Sequence, residues 1–193
     1  MTDFSDENSR IEAIAAHYRE IISLLGEDPS REGLVKTPMR AAKAMWYATG
    51  GYRQNPETIL NQAIFEYAGS KMVVVKDIEF YSLCEHHILP FFGTVDVGYL
   101  PSGSMIGLSK LARLVDAVAR RLQVQERMTA EICNQLQQTL APCGVIVNCR
   151  ANHLCMQMRG VEKQRAVTHT YEYTGAFATD PALRTEFFNL IGS

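Results

Sequence analysis

The stretch Lys71–Pro101, KMVVVKDIEFYSLCEHHILPFFGTVDVGYLP, decides how this chain folds. Two runs rich in β-branched and aromatic residues, KMVVVKDIEFYSL and GTVDVGYLP, read as strands, with CEHHILPFF at the turn between them. The turn therefore carries a thiol, a carboxylate and two imidazoles in four consecutive positions, Cys84, Glu85, His86 and His87.

On the C-terminal side, Leu111, Leu114, Val115, Val118 and Leu122 form one apolar stripe of a helix from about Ser109. Met128, Ile132, Leu136 and Leu140 form another from about Glu126. Strand character restarts at Gly144: VIVNCRANHLCMQM and the alternating AVTHTYEYT read as two more strands, and DPALRTEFFNLIG as a closing helix. On the N-terminal side, Ile11, Ile14, Tyr18, Ile21 and Leu25 recur at helical spacing up to Gly26. A second helix opens at TPMR, with Thr37 as the expected N-cap and Pro38 in the first helical position, and ends at Gly50-Gly51. The order predicts an α+β fold: an N-terminal helical arm over residues 1–60, then a domain over 61–193 in which an antiparallel ββααββ sheet carries a helix pair on one face.

Composition sets the surroundings. With 193 residues, 47% hydrophobic and 21% charged, the chain can bury a substantial core. Its longest apolar runs fall far below the roughly 18 residues of a membrane span, and the polar, acidic start MTDFSDENSR is unlike an export signal, so a cytoplasmic protein is expected. Five cysteines, an odd number without such a signal, favour metal binding or burial over a disulfide framework. A net charge of −2 argues against a nucleic-acid surface driven by bulk charge, so any anion site must be local.

Cys84 and His87 are three apart at a strand end, near enough to grip one metal ion. A buried thiol beside two surface histidines would look the same. His153-Leu154-Cys155 adds a second piece: on a continuous strand, positions two apart share a face, which brings Cys155 to the same place. Two cysteines and a histidine suit zinc. Three protein ligands leave a position for water, as in catalytic sites, whereas His86 or His153 as a fourth would close a structural one. Ser109, Lys110 and Arg113 at a helix start place cations at the positive end of the helix dipole, which an anion there would offset. A solvated basic turn is the plainer reading. Arg159 and Arg40 are further candidate phosphate contacts.

TPMR, CEHHILPF, GYLP, GLSKLARLVD, RRLQVQER and HLCMQMRGV, in this order and with compatible spacing, resemble the signature segments of the GTP cyclohydrolase I family from about Arg10 to the end. The resemblance implies a tunnelling fold, with ββααββ units closing into a barrel, two rings stacking into a homodecamer, and active sites between subunits. It implies zinc-dependent hydrolysis of GTP to formate and 7,8-dihydroneopterin triphosphate, the entry to folate and related pterins. Cys84, His87 and Cys155 match the family's zinc ligands, and His86 and His153 are then free as proton carriers. Glu126, with Gln125 beside it, matches the guanine-recognising position; Ser109, Lys110, Arg113 and Arg159 match residues around the ribose and triphosphate, and Arg40 an arginine from a neighbouring subunit.

Arg150 stands where many members are acidic, and strand parity points it away from His153. The strand around His169 lacks the family's Ser/Thr-rich run. A pterin synthase of this fold would use three histidines and a nitrile reductase a cysteine nucleophile without metal; neither fits the two-cysteine ligand set. A catalytically dead subunit with a structural zinc would lack a catalytic group, and none is missing.

Overall fold

The computed structural model describes residues 6–192. The chain runs through α1 (Glu7–Leu24), α2 (Thr37–Ala48), a 3₁₀ turn (Gly50–Arg53), α3 (Pro56–Asn61), β1 (Ile64–Glu66), β2 (Val73–Cys84), β3 (Pro90–Leu100) and β4 (Ser104–Ile106). It continues through α4 (Leu108–Ala119), β5 (Leu122–Gln123), α5 (Gln125–Leu140), β6 (Gly144–His153), α6 (Leu154–Gln157), β7 (Thr168–Tyr173), α7 (Ala176–Thr179) and α8 (Pro181–Ile191). The α+β class and the ββααββ order stand as read.

The main sheet has the order β5-β2-β3-β6-β7. All its pairings are antiparallel except that of β5, which runs parallel to the end of β2 through Leu83↔Leu122 and Cys84↔Gln123. Alternation sorts the strands' two faces. Phe80, Val95, Val97, Tyr99 and Val147 face Leu114, Val115, Met128, Ile132 and Leu136 of α4 and α5 and form the main core. Ile146 points to the other face, where α7 and α8 cover it with Phe177, Phe187 and Ile191. Close approach of β3 to β6 depends on Gly93, where a Cβ would lie 1.8 Å from the Arg150 carbonyl oxygen.

The arm has its own small core of Ile11, Ala15 and Ala42, flanked by Tyr18 and Trp46. Leu60 of α3 is already buried in the main core. Two local expectations change. Lys36, not Thr37, is the N-cap of α2; Thr37 is helical and its hydroxyl donates back to the Gly33 carbonyl at 3.4 Å. The strand through His153 does not continue to Cys155: β6 ends at His153 and Leu154 opens the helical turn α6. No helix among the described residues is long and apolar enough to cross a membrane.

Candidate metal centre and active site

The turn after β2 closes through backbone bonds, from Cys84 N–H to Leu89 O at 2.8 Å and from Ile88 N–H to Cys84 O at 2.8 Å. Ile88 takes φ +54°, a left-handed conformation unusual for a β-branched residue. With the chain doubled back so tightly, Cys84 Sγ lies 3.7 Å from Nδ1 of both His86 and His87. Cys155 arrives from α6 rather than from a strand. One ligand atom from each of Cys84, His87 and Cys155 lies within 4.8 Å of the other two. Zinc bonds of about 2.0–2.3 Å in tetrahedral geometry need ligand separations of roughly 3.3–3.8 Å, a small contraction from this arrangement. The thiol chemistry fits a cation too. Burial, and then the neighbouring Cys84, push the Cys155 thiol up; a divalent ion between the two sulfurs would reverse that penalty.

His153 completes the other wall. Its ring stacks on Phe91 and is half-buried, and burial lowers its pKa, opposed in part by the charge of Glu126. His153 Nε2 is 2.8 Å from Gln125 Oε1. The Gln125 amide nitrogen meets three acceptors at 3.1 Å, Cys149 O, Thr168 O and Thr170 Oγ1. The amide must therefore turn its oxygen to His153, which makes Nε2 the protonated nitrogen and leaves Nδ1 as the acceptor. Gln125 is only 2% exposed. Its side chain is thus committed to His153 and the strands, while the next residue, Glu126, is exposed at the start of α5. His86 is open to solvent, its Nε2 4.0 Å from Glu85. Arg159 is exposed just beyond α6, and its charge acts on Cys155.

The residues expected to contact phosphate lie elsewhere. Ser109, Lys110 and Arg113 lie in the first turns of α4, whose opposite end leads into β5 beside Cys84. Twelve residues of helix span about 18 Å. Within one chain, then, Ser109 and Lys110 sit at the end of α4 far from the Cys84–His87 turn, with Arg113 midway along the helix. Lys110 Nζ donates to Gln62 Oε1 at 2.7 Å, and Arg113 lines a cleft of about 660 Å³ with Arg53, Asn55 and Arg120. Arg40 is exposed on α2 of the arm. Arg150 points to the opposite sheet face, as parity required, and there meets Asp77 at 3.0 Å and the buried Asp96 at 3.6 Å. Sequence spacing did not reveal Phe91, the Gln125 to His153 contact, or the pairing of Glu85 with Arg127. Each depends on strand register or on α5 returning to the turn, and only the full register β3↔β6 would have exposed the first.

Cys84, His87 and Cys155 could hold a metal ion at the end of an antiparallel sheet backed by two helices, and a soft N/S trio of this kind is a ligand set of hydrolytic metal enzymes. The sequence profile of GTP cyclohydrolase I matches residues 14–192. The chain is 56% identical over 192 residues to GTP cyclohydrolase 1 of Porphyromonas gingivalis, covering 100% of this chain and 98% of that one. It is 54% identical to the Parabacteroides distasonis protein of that name (99% and 98% covered) and 50% identical to that of Chlorobaculum tepidum (98% and 87%). The chain belongs to the GTP cyclohydrolase I family, and its activity is that of a GTP cyclohydrolase.

Proposed function

We propose that Cys84, His87 and Cys155 hold one zinc ion, and that the site formed around it opens the imidazole ring of GTP, releases formate and closes the pterin ring. The convergence of two thiols and an imidazole within 4.8 Å carries this reading. When bound, zinc supplies Lewis acidity toward water and hence a nucleophile for C8 of the purine near neutral pH.

The chain's own residues do the rest. Glu126 accepts from the guanine ring N–H and exocyclic amine, a donor pair that adenine does not offer in that arrangement. His86, solvent-facing beside ligand His87, gives a proton to the purine nitrogen as the ring opens. His153, kept in one tautomer by Gln125, presents Nδ1 for proton transfer in the later ribose and ring-closure steps. Gln125 acts on the substrate through His153. Lys110, Arg113, Arg159 and Arg40, with the Ser109 hydroxyl, hold ribose and triphosphate by charge-assisted bonds.

The separation of Ser109 and Lys110, at the start of α4, from the Cys84–His87 turn beyond its other end supports an active site completed by a neighbouring copy, in a homodecamer. The edge of β7, and that of β2 ahead of the two residues that β5 covers, support head-to-tail strand pairing into the ring. A cytoplasmic enzyme supplying folate-type pterins fits a GTP substrate. Incubation with GTP, following formate and pterin absorbance together, tests the reaction; formate without pterin would place the chemistry short of ring closure.

A further inference from the structure

We propose that Arg127 is a positioning residue that ties the metal-binding turn to the base-reading end of α5 through Glu85. Glu85 sits inside the Cys84–His87 turn, and Arg127 directly follows Glu126 on α5. The Arg127 guanidinium bonds the Glu85 carboxylate, the Leu122 carbonyl at 3.3 Å and Gln123 Oε1 at 3.0 Å. It thereby joins the turn, β5 and α5 at one point.

The anchor beneath it is firm. Gln123 is 2% exposed, and its amide nitrogen donates to Val118 O at 3.1 Å and lies 3.4 Å from Glu131 Oε2. Glu131 is held in turn by Arg121 at 2.7 Å. From the backbone side, Glu85 N–H donates to Gln123 O at 3.0 Å. The turn also has need of an outside hold, because Ile88 closes it in a left-handed conformation that its own side chain disfavours.

Stability alone does not explain the arrangement. The side chains of Arg127 and Glu85 are 50% and 34% exposed, and ion pairs so exposed contribute little to folding. What the strap does fix is the offset between the metal trio and Glu126, hence between the attacking water and C8 of a base held by its guanine edge. An error of about 1 Å in such an offset can cost roughly 100-fold in rate. Outer contacts to a metal-bearing turn commonly change metal retention by about 10- to 100-fold.

This inference rests on the zinc and guanine assignments above, and the experiment separates the two. Zinc content and GTP turnover are measured for the wild-type holoenzyme and Cys155→Ser, then for Arg127→Gln, Glu85→Gln, their double variant and Arg127→Lys. Wild-type enzyme should carry zinc and Cys155→Ser should lose it; failure there overturns the site assignment itself. Given that, each single strap variant should lower kcat about 10- to 100-fold and speed zinc transfer to a chelator by about 10-fold or more. Melting temperature should stay within about 3 °C of wild type, as for a surface pair. The double variant should be no worse than either single one. Arg127→Lys should recover only part, since an ammonium cannot bridge Glu85 and Gln123 as the planar fork does. Zinc release at the wild-type rate, additive losses in the double variant, or losses that follow melting temperature would each overturn the strap.

Discussion

His153 lies face to face with Phe91, ring centroids 4.6 Å apart and planes 4° from parallel. The two residues are direct partners across β3 and β6, so the sheet's register creates the stack. Phe91 fixes the plane of the imidazole and Gln125 fixes which edge points inward. His86 has neither restraint.

That contrast predicts different failures. His86→Ala should slow ring opening by about 100- to 10,000-fold, the usual worth of a positioned acid or base, while His153→Ala should retain more ring opening than pterin formation. Both should keep zinc. Chromatography for GTP, ring-opened nucleotide and pterin reads the outcome, and identical product profiles differing only in rate would refute the division of roles.

The cysteines should report on the metal by alkylation. Burial pushes the Cys133 and Cys149 thiols up to about 12, so neither should react with iodoacetamide in folded protein at pH 8. Exposed Cys143 should react with or without metal. Partly exposed Cys155 should be protected in holoenzyme and labelled after chelation. Mass spectrometry of the labelled peptides checks this, and equal labelling of Cys155 in both states would remove it from the ligand set.

Lys110→Ala should raise the KM for GTP roughly 10- to 100-fold if KM follows binding, since a charge-assisted contact contributes about 1.5–3 kcal/mol. Guanosine binding should change little. Equal loss toward guanosine would assign Lys110 to the fold, through its bond to Gln62.

A pH dependence follows from His153. Burial sets its folded pKa below the ordinary histidine value of 6.5. Above that value the group is neutral in both folded and unfolded chains and contributes no slope. As pH falls through it, the unfolded chain binds the proton first and stability is lost, until the lower folded pKa is passed. Denaturant titrations from pH 8 to 5, in chelator, should show a shallower decline for His153→Asn than for wild type. Parallel curves would mean that the imidazole is not desolvated.

Much of the site was legible because it is local. Cys84 and His87 share one turn, and the helix stripes around Leu114 and Ile132 follow simple periodicity. Cys155 was found by way of a strand that stops two residues too early; α6 supplies it with a different geometry. Thr37 looked like a cap by residue type, yet the preceding turn made Lys36 the boundary. The ladder of β1 with β4 is three residues long and β5 has two, too short for any alternation to appear in sequence. Contacts such as Gln125 to His153 join positions 28 apart, and no local pattern encodes them.

The separate little core of Ile11, Ala15 and Ala42 has a bearing on how the molecule breathes. Because it shares none of its buried residues with the cluster behind the sheet, α1 and α2 can open as a unit without exposing Phe80 or Met128. Amide protons of the arm should then exchange through low-energy local openings, while those of β3 and β6 wait for global unfolding. An enzyme built this way can loosen the helix that carries Arg40 at temperatures where its Cys84–His87 turn is still intact.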